Sequence, residues 1–217
     1  MPNKQTFEPR IAGAITEGLV HLFGAANLAS GRQADEHKCE GYVQGLIENL
    51  LSPILPHVTL LTANEKLCED AVLGGCIPDI LIWRVGGEPW GAFELKTLLR
   101  DDKLNVAAVN EDLAKLCAYK RFFPDIAAVF VLVGSRTKLF NVQRKVAWEP
   151  LKINYEPASF VGPRPLPQAL DTPGFVALPC GSFNVDGIDL CVFMWEVVQN
   201  ANDKLLSTTY RFTAEMA

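Results

Sequence analysis

The chain has 217 residues, 49% of them hydrophobic, which is enough to fill the core of one large domain and excludes global disorder. No apolar run approaches the roughly 18–20 residues of a membrane span. The first ten residues, MPNKQTFEPR, lack a signal peptide's basic start and apolar stretch, so a cytoplasmic protein without membrane contact is expected. A net charge of −5 and a pI near 5.3 exclude a dedicated DNA-coating protein, but not an enzyme that meets nucleic acid through a local basic patch and a metal.

Residues 8–29 repeat apolar side chains at Ile11, Ile15, Leu19 and Leu22, which is helical spacing, and Ser30-Gly31 ends the pattern. A second helix is expected from about Asp35 to Leu51, with Val43, Ile47, Leu50 and Leu51 on one side and Pro53 and Pro56 beyond its end. VTLLTA at 58–63 reads as a strand. DILIWRV and GAFELKTLL, joined by GGEPW, read as a hairpin. A helix is predicted over 106–122 and a strand buried on both faces over AAVFVLVGS at 127–135. From residue 149 the texture changes: prolines at 150, 157, 163, 165, 167 and 173 punctuate a stretch with little periodicity, before a further strand at 187–198. The expected organisation is one domain, 1–217, with a core at about 35–148, an N-terminal helix at 8–29 and a proline-rich C-terminal extension at 149–217. The order of elements gives an α/β fold, a mixed sheet flanked by helices. The six cysteines form no C-x-x-C pair and mostly lie in apolar segments, so they read as free core thiols.

Three charged residues stand inside the hairpin, where strand interiors are depleted in Asp, Glu and Lys. Alternation along a strand puts Glu94 and Lys96 on one face, with Phe93, Leu95 and Thr97 on the other. Asp79 follows Pro78 at the start of the hairpin's first strand, where pairing around Gly86-Gly87 brings it toward Glu94. Two carboxylates brought together repel unless one is protonated or a cation bridges them. Mg²⁺ suits such a pair, because it takes one or two carboxylates and fills its remaining positions with water or phosphate oxygens. A lysine two residues on can orient an attacking water or neutralise charge developing on a phosphate. The alternative is a solvated strand face with Asp79 as a turn residue.

Pro78-Asp79, fourteen residues, then Glu94-Leu95-Lys96 resembles the PD-(D/E)xK nuclease superfamily, whose signature is Pro-Asp on one strand and acidic-x-Lys on the next. Glu36-His37-Lys38 has the second spacing but follows no Pro-Asp, and Pro124-Asp125 has no acidic-x-Lys after it. The resemblance covers roughly residues 35–135. It implies a restriction-endonuclease-like three-layer core and a Mg²⁺-dependent phosphodiesterase acting on nucleic acid, most naturally DNA, with Mn²⁺ able to substitute. It implies Asp79 and Glu94 as metal ligands, the Leu95 carbonyl as a third, and Lys96 as the residue that positions the water. An acidic residue on the preceding helix is also implied; Glu40, in phase with Val43 and Ile47, fits better than Glu36 or Glu48. On the following helix Asp112, Lys115 and Tyr119 share a stripe, and the resemblance assigns Lys115 and Tyr119 to phosphate contact or to bracing the site. Many members have Gln where Lys115 stands. The rival readings are a catalytically inactive nucleic-acid or protein-binding module on the same fold, and an unrelated α/β protein. Arg84, Lys96, Arg100, Lys103, Lys115, Lys120 and Arg121 are the expected basic patch, and the acidic balance points to self-association or a protein partner.

Overall fold

The computed structural model describes residues 7–30, 39–55, 58–63, 77–98, 106–135, 174–184 and 190–199. Three helices and six strands are found there, in the order α1 (Pro9–Ser30), α2 (Cys39–Leu51), β1 (Val58–Ala63), β2 (Ile80–Arg84), β3 (Pro89–Leu98), α3 (Val106–Phe122), β4 (Ala127–Gly134), β5 (Phe175–Asn184) and β6 (Cys191–Gln199). The strands form one mixed sheet in the order β1-β2-β3-β4-β6-β5, in which only β3 and β4 run parallel. A parallel pair needs a crossover, and α3 supplies it. No helix among the described residues is long and apolar enough to cross a membrane.

Period-two side-chain alternation divides the core into two layers. Leu81, Ala92, Leu98, Phe130, Leu132, Phe193 and Trp195 pack under Val109, Leu113, Leu116 and Tyr119 of α3. Ile80, Ile82, Phe93, Leu95, Val129, Val131 and Met194 pack on the other face under Ile11, Ile15, Leu19, Val43, Ile47 and Leu51 of α1 and α2. The arrangement is therefore helix–sheet–helix. β4, whose sequence is apolar throughout, is buried along its whole length, as expected for a strand covered on both faces.

The hairpin forms as its sequence predicts. Gly86 and Gly87 have φ of 113° and 85°, a left-handed conformation that glycine adopts without strain. The turn closes with Arg84 N–H donating to the Glu88 carbonyl at 2.7 Å.

The expected boundary at residue 148 does not mark the end of the core. β6 lies inside the sheet beside β4, and β5 packs against α1. Sequence periodicity gives no strand over Phe175–Asn184, because Pro179 and Gly181 interrupt it. Both are tolerated because β5 is an edge strand and its pairing with β6 slips between those two residues. The proline run from Pro150 to Pro173 lies outside the described residues, as do Glu36, Arg100 and Lys103.

Candidate functional site

The pairing of Ile80 with Phe93 brings Asp79, one residue before β2, level with Glu94 on β3. Glu94 and Lys96 alternate with Ala92 and Leu98 on the face covered by α3. On α3, Asp112 and Lys115 are separated by one helical turn and reach that same strand. The four side chains form an alternating chain of charge. Lys96 Nζ stands 2.7 Å from Asp112 Oδ2, Lys115 Nζ is 3.0 Å from Asp112 Oδ1, and Lys115 Nζ donates to Glu94 Oε2 at 3.2 Å. The Lys96–Asp112 contact is the shortest ion pair of the cluster.

The strand backbone fixes Asp79. Its Oδ2 accepts the Leu95 N–H at 2.7 Å, and its own carbonyl accepts from Gln44 Nε2 of α2 at 2.8 Å. The Leu95 carbonyl accepts from Lys96 Nζ at 3.2 Å. Glu40, in the first turn of α2, stands 3.7 Å from Lys96 Nζ. The core-facing placement expected for Glu40 is corrected: Val43, Ile47 and Leu51 carry the buried stripe, and Glu40 is exposed where the helix begins. It reaches the site from the solvent side.

Burial dominates the electrostatics. Glu94 is 1% exposed, and its carboxyl is pushed up to about 8, first by burial and then by the negative charges of Asp79 and Asp112; Lys115 pulls it the other way. Burial also raises Asp79, with the Leu95 N–H and Lys96 opposing. Burial acts against the charge on Lys96, but the carboxylates of Asp112, Glu40 and Asp79 more than offset it and the ammonium is held above its ordinary range. Lys115 is raised in the same way, with Glu94 and Asp112 outweighing burial. Two oxygens of the cluster are buried without an aligned hydrogen bond among the described residues: Asp112 Oδ2, which has the Lys96 ammonium 2.7 Å away, and Glu94 Oε1. A buried carboxylate oxygen without a partner is costly, which makes it the position where a cation or a proton belongs.

No protein-family model, curated protein or solved structure matches the chain. Among the described residues no group of three or more His, Cys, Asp or Glu converges in metal-holding geometry. A hard divalent cation does not require three, since one or two carboxylates with water suffice for Mg²⁺.

The residues singled out in the sequence thus divide. Asp79, Glu94, Leu95, Lys96, Glu40 and Lys115 meet at one end of the β2–β3 pair. Tyr119 does not join them. It is fully buried in the apolar layer under α3, so its ring braces the helix and cannot reach a phosphate in solvent. Lys120 is likewise removed from the expected basic patch: it is buried, 3.8 Å from Glu196, and donates to the Ile126 carbonyl at 2.6 Å. Arg121 lies over the Phe175 ring and Arg84 is beside Glu88. Two residues at the site were not assigned a role in the sequence. Gln44 gave no signal. Asp112 did give one, because a buried helical stripe rarely contains a carboxylate without a partner.

Proposed function

We propose that this protein is a metal-dependent nuclease on a restriction-endonuclease-like core, hydrolysing phosphodiester bonds in nucleic acid, with DNA as the first substrate to test. The observation that carries the reading is the pair Asp79 and Glu94: a half-buried and a fully buried carboxylate brought level on neighbouring chain segments, both raised in pKa, the buried one with an orphaned oxygen. These groups fit a divalent cation. Asp79 and Glu94, with the Leu95 carbonyl, would hold Mg²⁺ or Mn²⁺, which would supply Lewis-acid stabilisation of the charge growing on a phosphate oxygen.

The chain's own residues do the rest. The Lys96 ammonium, partly exposed beside the carboxylate pair, orients a water for in-line attack and offsets negative charge in the transition state. Glu40, on the open side, accepts hydrogen bonds from water at the site and competes with Asp112 for the Lys96 ammonium. Lys115, half-exposed, neutralises Glu94 and Asp112 before substrate arrives and can turn to a phosphate oxygen when Glu94 gains another cation.

A second reading has one observation in its favour. Lys115 already bridges Glu94 and Asp112, so the cluster is balanced by lysines without any metal. A binding module that has given up catalysis would keep such a network.

Incubation with plasmid, linear duplex, single-stranded DNA and RNA, with Mn²⁺ or with EDTA, separates the two. Cleavage of at least one substrate with Mn²⁺, none with EDTA, and a fall on the order of 10²-fold or more in Lys96→Ala is expected of the nuclease. Substrate binding without cleavage in any metal would favour the binding module.

A further inference from the structure

We propose that Asp112 is a positioning residue: it holds the Lys96 ammonium at the place from which Lys96 acts. The inference rests on the nuclease reading and extends it to a residue outside the Pro-Asp and Glu-Leu-Lys motif. Lysine carries its charge on a flexible four-carbon stem, so the charge stands where its partners put it. The partners of Lys96 Nζ are unequal. Glu40 is 3.7 Å away and about half exposed, the setting in which an ion pair is weak. The Leu95 carbonyl is 3.2 Å away and neutral. Asp112 is 2.7 Å away and its carboxylate is almost fully buried, so it dominates.

The location of Asp112 supports the assignment. Its neighbours on α3, Leu113, Leu116 and Cys117, belong to the apolar layer, and an aliphatic side chain would serve that packing at no electrostatic cost. A carboxylate there needs cations to stabilise it, and among the described residues it meets two, Lys96 through Oδ2 and Lys115 through Oδ1. Because Lys115 also touches Glu94, Asp112 stands between the two lysines, with Lys115 against Glu94 and Lys96 on its other oxygen. Asp112 makes no hydrogen bond to Asp79 or Glu94 among the described residues; its direct contacts there are the two ammonium groups, and Lys96 is the nearer.

The test combines lysine-ammonium NMR with kinetics. The wild-type protein should show a slowly exchanging ammonium signal that Lys96→Met removes. Asp112→Asn, which keeps the shape and loses the charge, should abolish that signal. It should lower kcat on the order of 10²-fold, the scale of a misplaced catalytic group, while KM and the Mn²⁺ dissociation constant stay near wild type. If Asp112→Asn does not fold, the double variant Asp112→Asn/Lys115→Met, which removes one charge of each sign, is compared with Lys115→Met alone, and the Lys96 signal and kcat should fall from the single variant to the double. A Lys96 signal that survives the loss of Asp112, or an unchanged kcat, overturns the proposal. So does Mn²⁺ affinity falling in step with kcat, which would make Asp112 a metal ligand. An anchored ammonium in a wild-type protein that neither binds Mn²⁺ nor cleaves would overturn the nuclease reading and with it the positioning role, leaving Asp112 a structural counter-ion.

Discussion

Glu94 sets the behaviour expected of the site with pH. Its folded-state pKa is about 8, raised from an ordinary 4.5 by burial and by Asp79 and Asp112. The folded protein therefore binds a proton at Glu94 between those values that the unfolded chain releases. The stability this contributes is fully present below about pH 4.5 and is lost as pH rises through about 8. Thermal melts of the metal-free protein and of Glu94→Gln across that range should show the wild type losing more stability toward high pH than the variant. Because protons compete with a metal for the same oxygens, the rise in Tm on adding Mn²⁺ should be larger at pH 8 than at pH 5. Parallel pH profiles of the two proteins would contradict the assignment. At this scale much was legible in the sequence. Strand alternation and a short turn were enough to put Asp79, Glu94 and Lys96 together. The pairing of Lys96 with Asp112 was not legible, because it depends on the phase of α3 against β3, which the sequence between them does not fix. The burial of Tyr119 was missed for the same reason: it shares a stripe with Lys115, but that stripe passes from the open end of the site into the apolar layer.

The elements that carry the site are held in register by local devices. The Gly86-Gly87 turn sets the pairing of β2 with β3, and hence the approach of Asp79 to Glu94. A Cβ at Gly87 meets no atom within 4 Å, so the consequence of Gly87→Ala is a backbone one. Forcing alanine into a left-handed conformation should cost about 1–2 kcal/mol in a denaturant melt. Metal affinity should be retained wherever the folded state persists. An unchanged midpoint would mean that the turn adapts without strain. Helix α2 makes its contribution from the opposite layer, with Gln44 holding the Asp79 carbonyl. The hairpin, α1, α2, α3, β1, β4 and β6 were readable from periodicity and breakers. β5 was not, because a proline and a glycine at a slipped edge pairing look like a loop when the neighbouring strand is unknown.

Across the whole molecule, the buried charges among the described residues fall into two groups with different duties. Lys120 and Glu196 form one, lying away from Glu94. Glu196 pairs with Val129, which pairs with Phe93, so it belongs to the sheet face opposite Glu94. Its Oε2 accepts the Phe7 N–H at 3.2 Å while Oε1 faces Lys120, tying the N-terminal residues to α3 and β6. Glu196→Ala takes the adjacent carboxylate from the buried Lys120 and the acceptor from the Phe7 N–H, and should cost about 3–5 kcal/mol of stability, with specific activity of the folded fraction unchanged. A selective loss of activity would link this pair to the site. The other group is the Asp79–Glu94–Asp112 cluster with its two lysines. The net charge of −5 opposes long-range attraction of a polyanion, and Lys120, one of the cations near the site in sequence, is buried beside Glu196. Binding to DNA should therefore be weak without metal, strengthened by Ca²⁺, and shallow in its salt dependence, each phosphate contact contributing roughly 0.9 to the slope. Tight, metal-independent binding with a steep slope would instead favour the binding module. The most direct measurement of the central claim is a calorimetric titration of Mn²⁺ into the wild type, Asp79→Ala and Glu94→Ala near pH 8. The account predicts saturable binding by the wild type and its loss in both variants while both remain folded. A wild type that takes up no Mn²⁺, or variants that bind it equally well, would contradict it.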